Sequence, residues 1–527
     1  MSIERENGVS AGHTRREFLW AVGAGAAVAA GGFAARRLFA AAAGGAGSPA
    51  AGAANSPAGS APASRAKDKR PNILFALADD WSWPFASILG DKVVKTPIFD
   101  RVAREGVMFN RAFVAAPSCS PSRAAVLTGQ WHWRLEQGVN LWSTLPAKFP
   151  VYPDLLEQAG YHVGFTRKGW GPGSDTAGGR SRNPAGNSFK SFDAFLAARP
   201  AGKPFCFWFG SHDPHRGYKL GSGVASGMKL ADVRVPACLP DCEATRSDLC
   251  DYFFAVQRFD RETGEIIKAV EDAGELDNTL VVVSGDNGLP FPRCKANLYD
   301  TGTNVPLAVR WPAKVKGGRT VDDFVSLPDL CPTFLEAAGL RPLECMTARS
   351  FMNVLAAEGG GQIDPKRDHV LTGMERHANA RAGRVGYPMR ALRTAEYLYI
   401  RNFAPDRWPA GDPEGYGDID GGPTKSYMLA HRDDPAVKPL FELACGKRPA
   451  EELYDLKKDP DQLKNVAGEA AYAETLKKLS AALTAELKAT GDPRIIGGAE
   501  IIDTYPYGGG GGGGAKKKAP AKARAKE

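Results

Sequence analysis

Four short apolar runs, each ending abruptly in polar residues, stand out in the pattern of hydrophobic and polar positions along the chain. Continuous apolar runs of this length are typical of parallel strands that are buried on both faces. Ligands bind at the carboxyl ends of such strands, so the polar residues after each run are candidate site residues. The runs are residues 72–78 before Asp79-Asp80, 161–165 before Lys168, 204–210 before His212, and 279–283 before Asp286-Asn287.

Helical patterns alternate with these runs and predict an α/β domain. A helix is expected over residues 96–105, before Gly106, and an amphipathic one over residues 247–273. Another strand is expected over residues 109–116, and a late strand over residues 369–372 would complete this domain. The predicted fold class is therefore α/β, with a mainly parallel sheet flanked by helices, over residues 70–385.

The pattern changes beyond residue 385. Residues 389–400 alternate between apolar and polar side chains, as in an antiparallel strand with one wet face. Residues 405–425 are rich in Pro, Gly and Asp and predict a long loop. A short strand over residues 452–456 and an amphipathic helix over residues 469–488 follow. We therefore expect a smaller C-terminal α+β domain, built on an antiparallel sheet, over residues 386–507.

Both ends of the chain differ in composition from the folded part. Thr14-Arg15-Arg16-Glu17-Phe18-Leu19 precedes an apolar Ala/Gly-rich run over residues 21–33, and residues 1–43 resemble a twin-arginine signal peptide. The run is too short and glycine-rich for a stable membrane span. We expect export by the twin-arginine machinery to the periplasm or the outside of a bacterium. Residues 44–69 predict a disordered linker, and residues 508–527 a Gly-rich, then Lys/Ala-rich, disordered tail.

The net charge and the cysteines exclude two classes of function. The formal charge of +8 comes from the two ends, and residues 71–507 carry about −2, so nucleic-acid binding is not expected. Nine cysteines without a C-x-x-C pair disfavour a zinc site. Cys238, Cys242 and Cys250 are close enough in sequence for a local disulfide in an oxidising compartment, with the pairing left open.

Cys119 lies at the start of a predicted short helix, in Ser118-Cys119-Ser120-Pro121-Ser122-Arg123. Pro121 suits the first position of a helix, and Gly129 is a natural stop. The unpaired N–H groups of the first helical turn favour an anion near Cys119, and Arg123 adds a fixed cationic fork. On this evidence alone, a buried structural cysteine is an equally good interpretation.

Oxygen donors at two of the strand ends predict a metal site. Asp79, Asp80, Asp286 and Asn287 offer hard oxygen ligands, which suit Ca²⁺ or Mg²⁺ better than zinc. Together with Cys119, Arg123, Lys168 and His212, they predict a site for an anionic ester.

These motifs resemble a known family. Cys119-Ser-Pro-Ser-Arg123 with Leu127-Thr-Gly129 resembles the signature of the type I, formylglycine-dependent sulfatases, which have an alkaline-phosphatase-like fold. The segment of residues 212–216 (His-Asp-Pro-His-Arg) and that of residues 286–292 look most like the N-sulfoglucosamine (heparan-type) sulfohydrolases. The resemblance covers residues 71–465, which is most of the predicted folded chain.

The resemblance implies a sulfatase that acts on a sulfated saccharide, and a role for each site residue. A separate formylglycine-generating enzyme would oxidise Cys119 to formylglycine, whose hydrate would be the nucleophile. Ca²⁺ would be held by the strand-end residues and residue 119. Arg123 would steady the hydrate, Lys168 and Lys295 would contact the sulfate, and His212 would protonate the leaving group. The implied metal ligands are Asp79, Asp80, Cys119, Asp286 and Asn287.

One position departs from the family pattern. Relatives carry a histidine two residues after the lysine that matches Lys168, and this chain has Trp170 there. His132 is the first candidate replacement, and His162 and His215 are weaker ones. Three other functions stay open: an O-sulfatase of another polysaccharide, a phosphatase or phosphonate hydrolase of the same superfamily, and a non-catalytic binder of sulfated glycans.

Overall fold

The computed structural model describes residues 70–509. The predicted signal peptide, the linker and the tail beyond residue 509 lie outside the described residues. The strands, in chain order, are β1 (Asn72–Ala78), β2 (Val107–Phe109), β3 (Ala112–Phe113), β4 (His162–Arg167), β5 (Asn187–Ser188), β6 (Phe205–Gly210), β7 (Thr279–Gly285), β8 (Leu307–Arg310), β9 (Arg319–Val321), β10 (Val325–Ser326), β11 (His369–Met374), β12 (Met389–Thr394), β13 (Tyr397–Asn402) and β14 (Glu451–Asp455).

Helices connect and flank these strands. They are α1 (Pro97–Glu105), α2 (Cys119–Thr128), α3 (Tyr152–Gln158), α4 (Phe192–Ala198), α5 (Ser222–Ala225), α6 (Glu243–Asp272), α7 (Asp300–Thr303), α8 (Leu330–Ala337), α9 (Met352–Ala356), α10 (Pro423–Ala430), α11 (Lys438–Cys445), α12 (Ala473–Ala489) and α13 (Pro493–Ile496). Among the helices of residues 70–509, none has the length and apolar composition that a membrane crossing needs.

The larger sheet has eight strands in the order β5-β4-β6-β1-β7-β8-β2-β9. The five strands from β5 to β7 in that order are parallel, whereas β8 runs antiparallel to both β7 and β2. This arrangement confirms the predicted mixed, mainly parallel sheet of an alkaline-phosphatase-like fold. The expected strand over residues 109–116 is wrong, because that segment is split between β2 and the short β3, which pairs with β10.

Both faces of the larger sheet are buried, as the apolar runs predict. In β1, Ile73, Phe75 and Leu77 belong to the hydrophobic core on one face, with α2 and α8. Leu74 and Ala76 belong to the core on the other face, with the long helix α6. Because side chains alternate along a strand, two covered faces require an uninterrupted apolar run.

The smaller sheet is antiparallel, in the order β11-β12-β13-β14. The late strand expected to complete the domain of residues 70–385 is present as β11, but it pairs with β12 of the smaller sheet, with Thr372 opposite Ala391. The sequence of a short buried strand does not indicate which sheet it joins. Here β11 pairs with the free edge of the β12–β13 hairpin. Residues 389–400, expected as one strand, form that hairpin around a two-residue connection.

Candidate active site

The strand register brings the predicted acidic residues to one edge of the larger sheet. Leu77 of β1 lies opposite Gly210 and Ser284, so β1, β6 and β7 end side by side. Single ligand atoms of four residues there, three carboxylates and a thiol, lie within 4.8 Å of one another. The residues of this acidic group, all buried, are Asp79, Asp80, Cys119 and Asp286.

Asn287 and the backbone of Asp80 complete the arrangement. Asp80 has a φ of 73°, which turns its N–H toward Asp286 Oδ1 at 2.9 Å. Asn287 Nδ2 donates to Asp80 Oδ1 at 2.6 Å, while Asn287 Oδ1 is buried and without a hydrogen-bond partner among the described residues. A buried oxygen of this kind costs free energy unless something binds it.

These residues fit a divalent cation with a preference for oxygen. Three carboxylates and an unpaired amide oxygen are the donor set of a Ca²⁺ or Mg²⁺ site. Burial raises the pKa of Asp286, although Arg123 opposes that rise. A cation among the acids would favour the ionised form of Asp286.

Cys119 is the first residue of α2, and its Sγ lies 3.4 Å from Asp79 Oδ1. Pro121 is the third residue of the helix rather than the first, and Gly129 ends it with a φ of 64°, as predicted. Burial, reinforced by the charge of Asp79, raises the pKa of the Cys119 thiol well above its ordinary value. An unmodified thiol here is therefore protonated and a weak nucleophile.

Arg123 lies one helical turn after Cys119 and is fully buried. Its Nε donates to Asp286 Oδ2 at 2.7 Å, and its Nη1 donates to the carbonyl oxygens of Lys168 and Gly169, each at 2.9 Å. The remaining Nη2 has no hydrogen bond among the described residues and lies 3.7 Å from Asp79 Oδ1. Arg123 thus ties the α2 start to the ends of β4 and β7.

Two lysines add positive charge next to the acids. Lys168 follows β4, and its Nζ lies 2.6 Å from both carboxylate oxygens of Asp79. Lys295 Nζ lies 2.8 Å from Asp80 Oδ2. Burial disfavours the charged form of Asp79, but Lys168, with smaller contributions from other cations, outweighs it and holds the pKa of Asp79 well below its ordinary range.

The histidines after β6 lie at the open side of this group. His212 is exposed, and its pKa is lowered by partial burial, with Asp79 acting in the opposite direction. His215 has a ring nitrogen within 4.8 Å of Cys119 Sγ and of an Asp79 oxygen. Its Nε2 also lies 3.8 Å from Asp80 Oδ2.

The other candidate replacements for the family histidine lie elsewhere. Trp170 is buried, and its Nε1 donates to the carbonyl oxygen of Ser120 at 3.2 Å. His132 follows the far end of α2, a helix of ten residues that begins at Cys119 and is about 15 Å long. It contacts Trp133 and lies beside Arg390. His162 stacks on Phe195. The structure therefore brings His215 to the site, and neither His132 nor His162.

Two site residues gave no signal in the sequence. Asp420, from the segment predicted as a long loop, lies with its Oδ2 3.2 Å from Lys295 Nζ. His377 lies three residues beyond the end of β11. It is buried and pairs through Nδ1 with Ser118 Oγ at 2.8 Å. Neither belongs to a motif, and both reach the site through the long-range packing of the C-terminal region.

The remaining eight cysteines form no disulfide. All nine cysteines lie within the described residues and are free thiols, including Cys238, Cys242 and Cys250.

Comparisons with known proteins agree with this geometry. The "Sulfatase" family model matches residues 71–340, and the "N-sulphoglucosamine sulphohydrolase, C-terminal" model matches residues 294–409. The chain is 26% identical to an ulvan-active sulfatase of Formosa agariphila, over 82% of this chain and 78% of that protein. It is 28% identical to the N-sulphoglucosamine sulphohydrolase of Homo sapiens, over 80% of this chain and 91% of that protein.

A solved structure shares the fold. It is BT4656 in complex with its substrate D-glucosamine-2-N,6-O-disulfate, with a TM-score of 0.58 and 21% sequence identity. The match covers 80% of this chain and 98% of that chain.

Proposed function

The chain belongs to the sulfatase family, and on that premise we propose that it is a calcium-dependent, formylglycine-bearing hydrolase of a sulfated saccharide. The observation that carries the proposal is the buried group of Asp79, Asp80, Asp286 and Cys119, with Arg123 and Lys168 against it. It combines a cation site, a nucleophile position and fixed positive charge within one small volume.

The environment of Cys119 supports its conversion to formylglycine. A buried thiol with a raised pKa, beside the negative charge of Asp79, is poorly suited to attack an anionic sulfate. When present, formylglycine would supply an aldehyde hydrate as the nucleophile, and Ca²⁺ would supply positive charge at the sulfate oxygens.

The side chains around this position would bind and orient the sulfate. Lys168 and Lys295 carry charges that favour the negative charge of the sulfate as it is transferred. Arg123 holds Asp286 and the backbone of residues 168 and 169 in place, so the positions of the acid and the lysine are set together. His212, at the open side, would donate a proton to the leaving oxygen or nitrogen.

We propose N-sulfated glucosamine as the first substrate to test. The C-terminal match to the N-sulphoglucosamine sulphohydrolase model and the human relative support it. The ulvan-active relatives support an O-sulfated polysaccharide as the second candidate. We further propose export by the twin-arginine machinery to the periplasm or the outside of a bacterium, on the basis of the Thr14–Leu19 segment of the sequence.

A sulfate-release assay tests this function. The full chain, produced together with a formylglycine-generating enzyme, is expected to release sulfate from N-sulfated glucosamine, and to lose that activity on removal of Ca²⁺ by a chelator. Mass analysis of the peptide that contains residue 119 is expected to show an aldehyde.

Two variants control the assay. Cys119→Ala should abolish sulfate release, whereas Cys345→Ala, at an exposed cysteine, should leave it unchanged. An active protein with an unmodified thiol would refute the formylglycine mechanism. Hydrolysis of an aryl phosphate in preference to any sulfate would favour a phosphatase, and tight glycan binding without release would favour a binder.

A further inference from the structure

Asp420 is a carboxylate at the edge of the site, outside the group of Asp79, Asp80, Cys119 and Asp286. Its Oδ2 lies 3.2 Å from Lys295 Nζ, and its side chain is 26% exposed. Ligand atoms of Asp80, His215 and Asp420 lie within 4.8 Å of one another, and Asp80 is also in the group that contains Cys119. Asp420 is therefore within reach of the sugar ring whose sulfate lies at Cys119.

The segment that carries Asp420 is anchored on both sides of it. Two residues before, Asp418 Oδ1 accepts a hydrogen bond from the Ala378 N–H at 2.8 Å. Four residues after, Thr424 donates through its N–H and its hydroxyl to Asp248 Oδ2, at 3.2 Å and 2.7 Å. Because both flanks are tied to buried or half-buried partners, Asp420 is held in a defined position although it lies in an irregular segment.

Asp420 is also the carboxylate of the site with an unused oxygen. Asp79 contacts Lys168 with both oxygens, Asp80 uses both on Asn287 and Lys295, and Asp286 uses both on the Asp80 N–H and Arg123. The Oδ1 of Asp420 makes no hydrogen bond within residues 70–509, and it belongs to a partly exposed side chain. The oxygens of the other three carboxylates are all used in the hydrogen bonds described above.

The charge of Asp420 decides which substrate group it can accept. Burial would raise its pKa, but Lys295, His215 and His377 outweigh burial and lower the pKa to about 2. An ionised carboxylate only accepts hydrogen bonds, and it repels a second sulfate. Its free oxygen therefore suits a hydroxyl group of the sugar.

We propose that Asp420 is a specificity residue that accepts a hydrogen bond from the hydroxyl group next to the cleaved sulfate and excludes sugars sulfated at that neighbouring position. This inference rests on the proposed function. For N-sulfated glucosamine, the nitrogen on C2 is flanked by the 1- and 3-hydroxyl groups. We assign the 3-hydroxyl to Asp420, so 3-O-sulfation should block binding.

Binding measurements in a Cys119→Ala background test the proposal without turnover. The probes are N-sulfated glucosamine and N,3-O-disulfated glucosamine, and calorimetry gives Kd for each. We expect Asp420→Asn to weaken binding of the first by about 10- to 100-fold and to tighten binding of the second, because a charged hydrogen bond is lost and a repulsion is removed. Asp420→Glu, which keeps the charge, should weaken the first and still reject the second.

A matched control and a separate turnover assay make the outcome decisive. Asp406→Asn changes the same charge at an exposed position of the same irregular segment and should leave the ratio of the two Kd values unchanged. Equal weakening of both probes by Asp420→Asn would mean that Asp420 only holds Lys295, and would overturn the proposal, as would equal binding of both by the Cys119→Ala protein. Failure of the proposed function would show separately, as absence of sulfate release by the protein with Cys119 intact.

Discussion

The two sides of the site differ in how the fold builds them. The acid side, Asp79, Asp80, Asp286 and Asn287, comes from two adjacent strand ends of the larger sheet. The C-terminal side, His377 and Asp420, comes from the residues after β11 and from an irregular segment more than a hundred residues beyond β7. This difference suggests a division of labour: the strand ends would carry the reaction, and the C-terminal side would choose the substrate.

A change on the acid side should have the largest effect and should not depend on the substrate. Asp80→Asn keeps the shape of the side chain but removes one negative charge from the cation site. We expect sulfate release to fall about 1,000-fold or more on every substrate, because the charge stabilisation at the sulfate depends on this group.

Calcium-dependent thermal stability is the second readout of that variant. Ca²⁺ should raise the Tm of the unaltered protein and raise it much less in Asp80→Asn. Asp433→Asn, at a side chain that is 93% exposed, is the matched control for the charge change. A loss confined to one saccharide would contradict the division between the two sides.

Replacement of His215 and of His132 should give effects of intermediate size and should show which histidine belongs to the site. His215→Ala removes the imidazole that lies within 4.8 Å of Cys119 Sγ, and kcat should fall about 100-fold. His132→Ala should leave kcat within about threefold and lower the free energy of unfolding by about 1–3 kcal/mol, since His132 is a buried packing residue beyond the far end of α2. Steady-state kinetics and denaturant unfolding measure the two effects. If His132→Ala lowered kcat and His215→Ala did not, His132 rather than His215 would replace the histidine that relatives carry at the position of Trp170.

The smallest effect is expected in the pH dependence of stability at the start of β11. His369 pairs with Glu486 of α12, and this hydrogen bond, against partial burial, raises the pKa of His369 above its ordinary 6.5. The folded pKa exceeds the unfolded one, so the pair stabilises the protein fully below about pH 6.5 and loses that contribution as the pH rises through the folded pKa.

The contribution should be about 0.5–1 kcal/mol, because both side chains are partly exposed. Denaturant unfolding of the protein and of His369→Gln between pH 5.5 and pH 9 measures it. The variant should lack this component while its kcat stays unchanged. A pH-independent difference in stability between the two proteins would contradict the assignment.

The acid side could be predicted from the sequence because its signal is local. A buried parallel strand must be apolar throughout, so the first polar residues after it mark the sheet edge, and β1 and β7 place Asp79 and Asp286 accordingly. The C-terminal side had no such signal. The position of Asp420 depends on hydrogen bonds that Asp418 and Thr424 make with residues distant in the sequence. No hydrophobic periodicity predicts those contacts.

The same limit explains the errors in the fold. The apolar residues of β11 predicted a strand, but its position depended on which edge was free, and the edge of β12 lies in the smaller sheet. His132 illustrates the converse limit. It is near Cys119 in the sequence, but the helix α2 separates the two residues.

The pairing of β11 with β12 has a consequence for protein engineering. A chimera that takes its C-terminal region from a relative, in order to transfer specificity, should have its junction before His369 rather than near residue 385. With a junction near residue 385, β11 of one parent would have to pair with β12 of the other. A fragment that ends near residue 385 would leave a row of unpaired N–H and C=O groups on β11. A junction before residue 369 keeps all four strands, His377 and Asp420 from one parent.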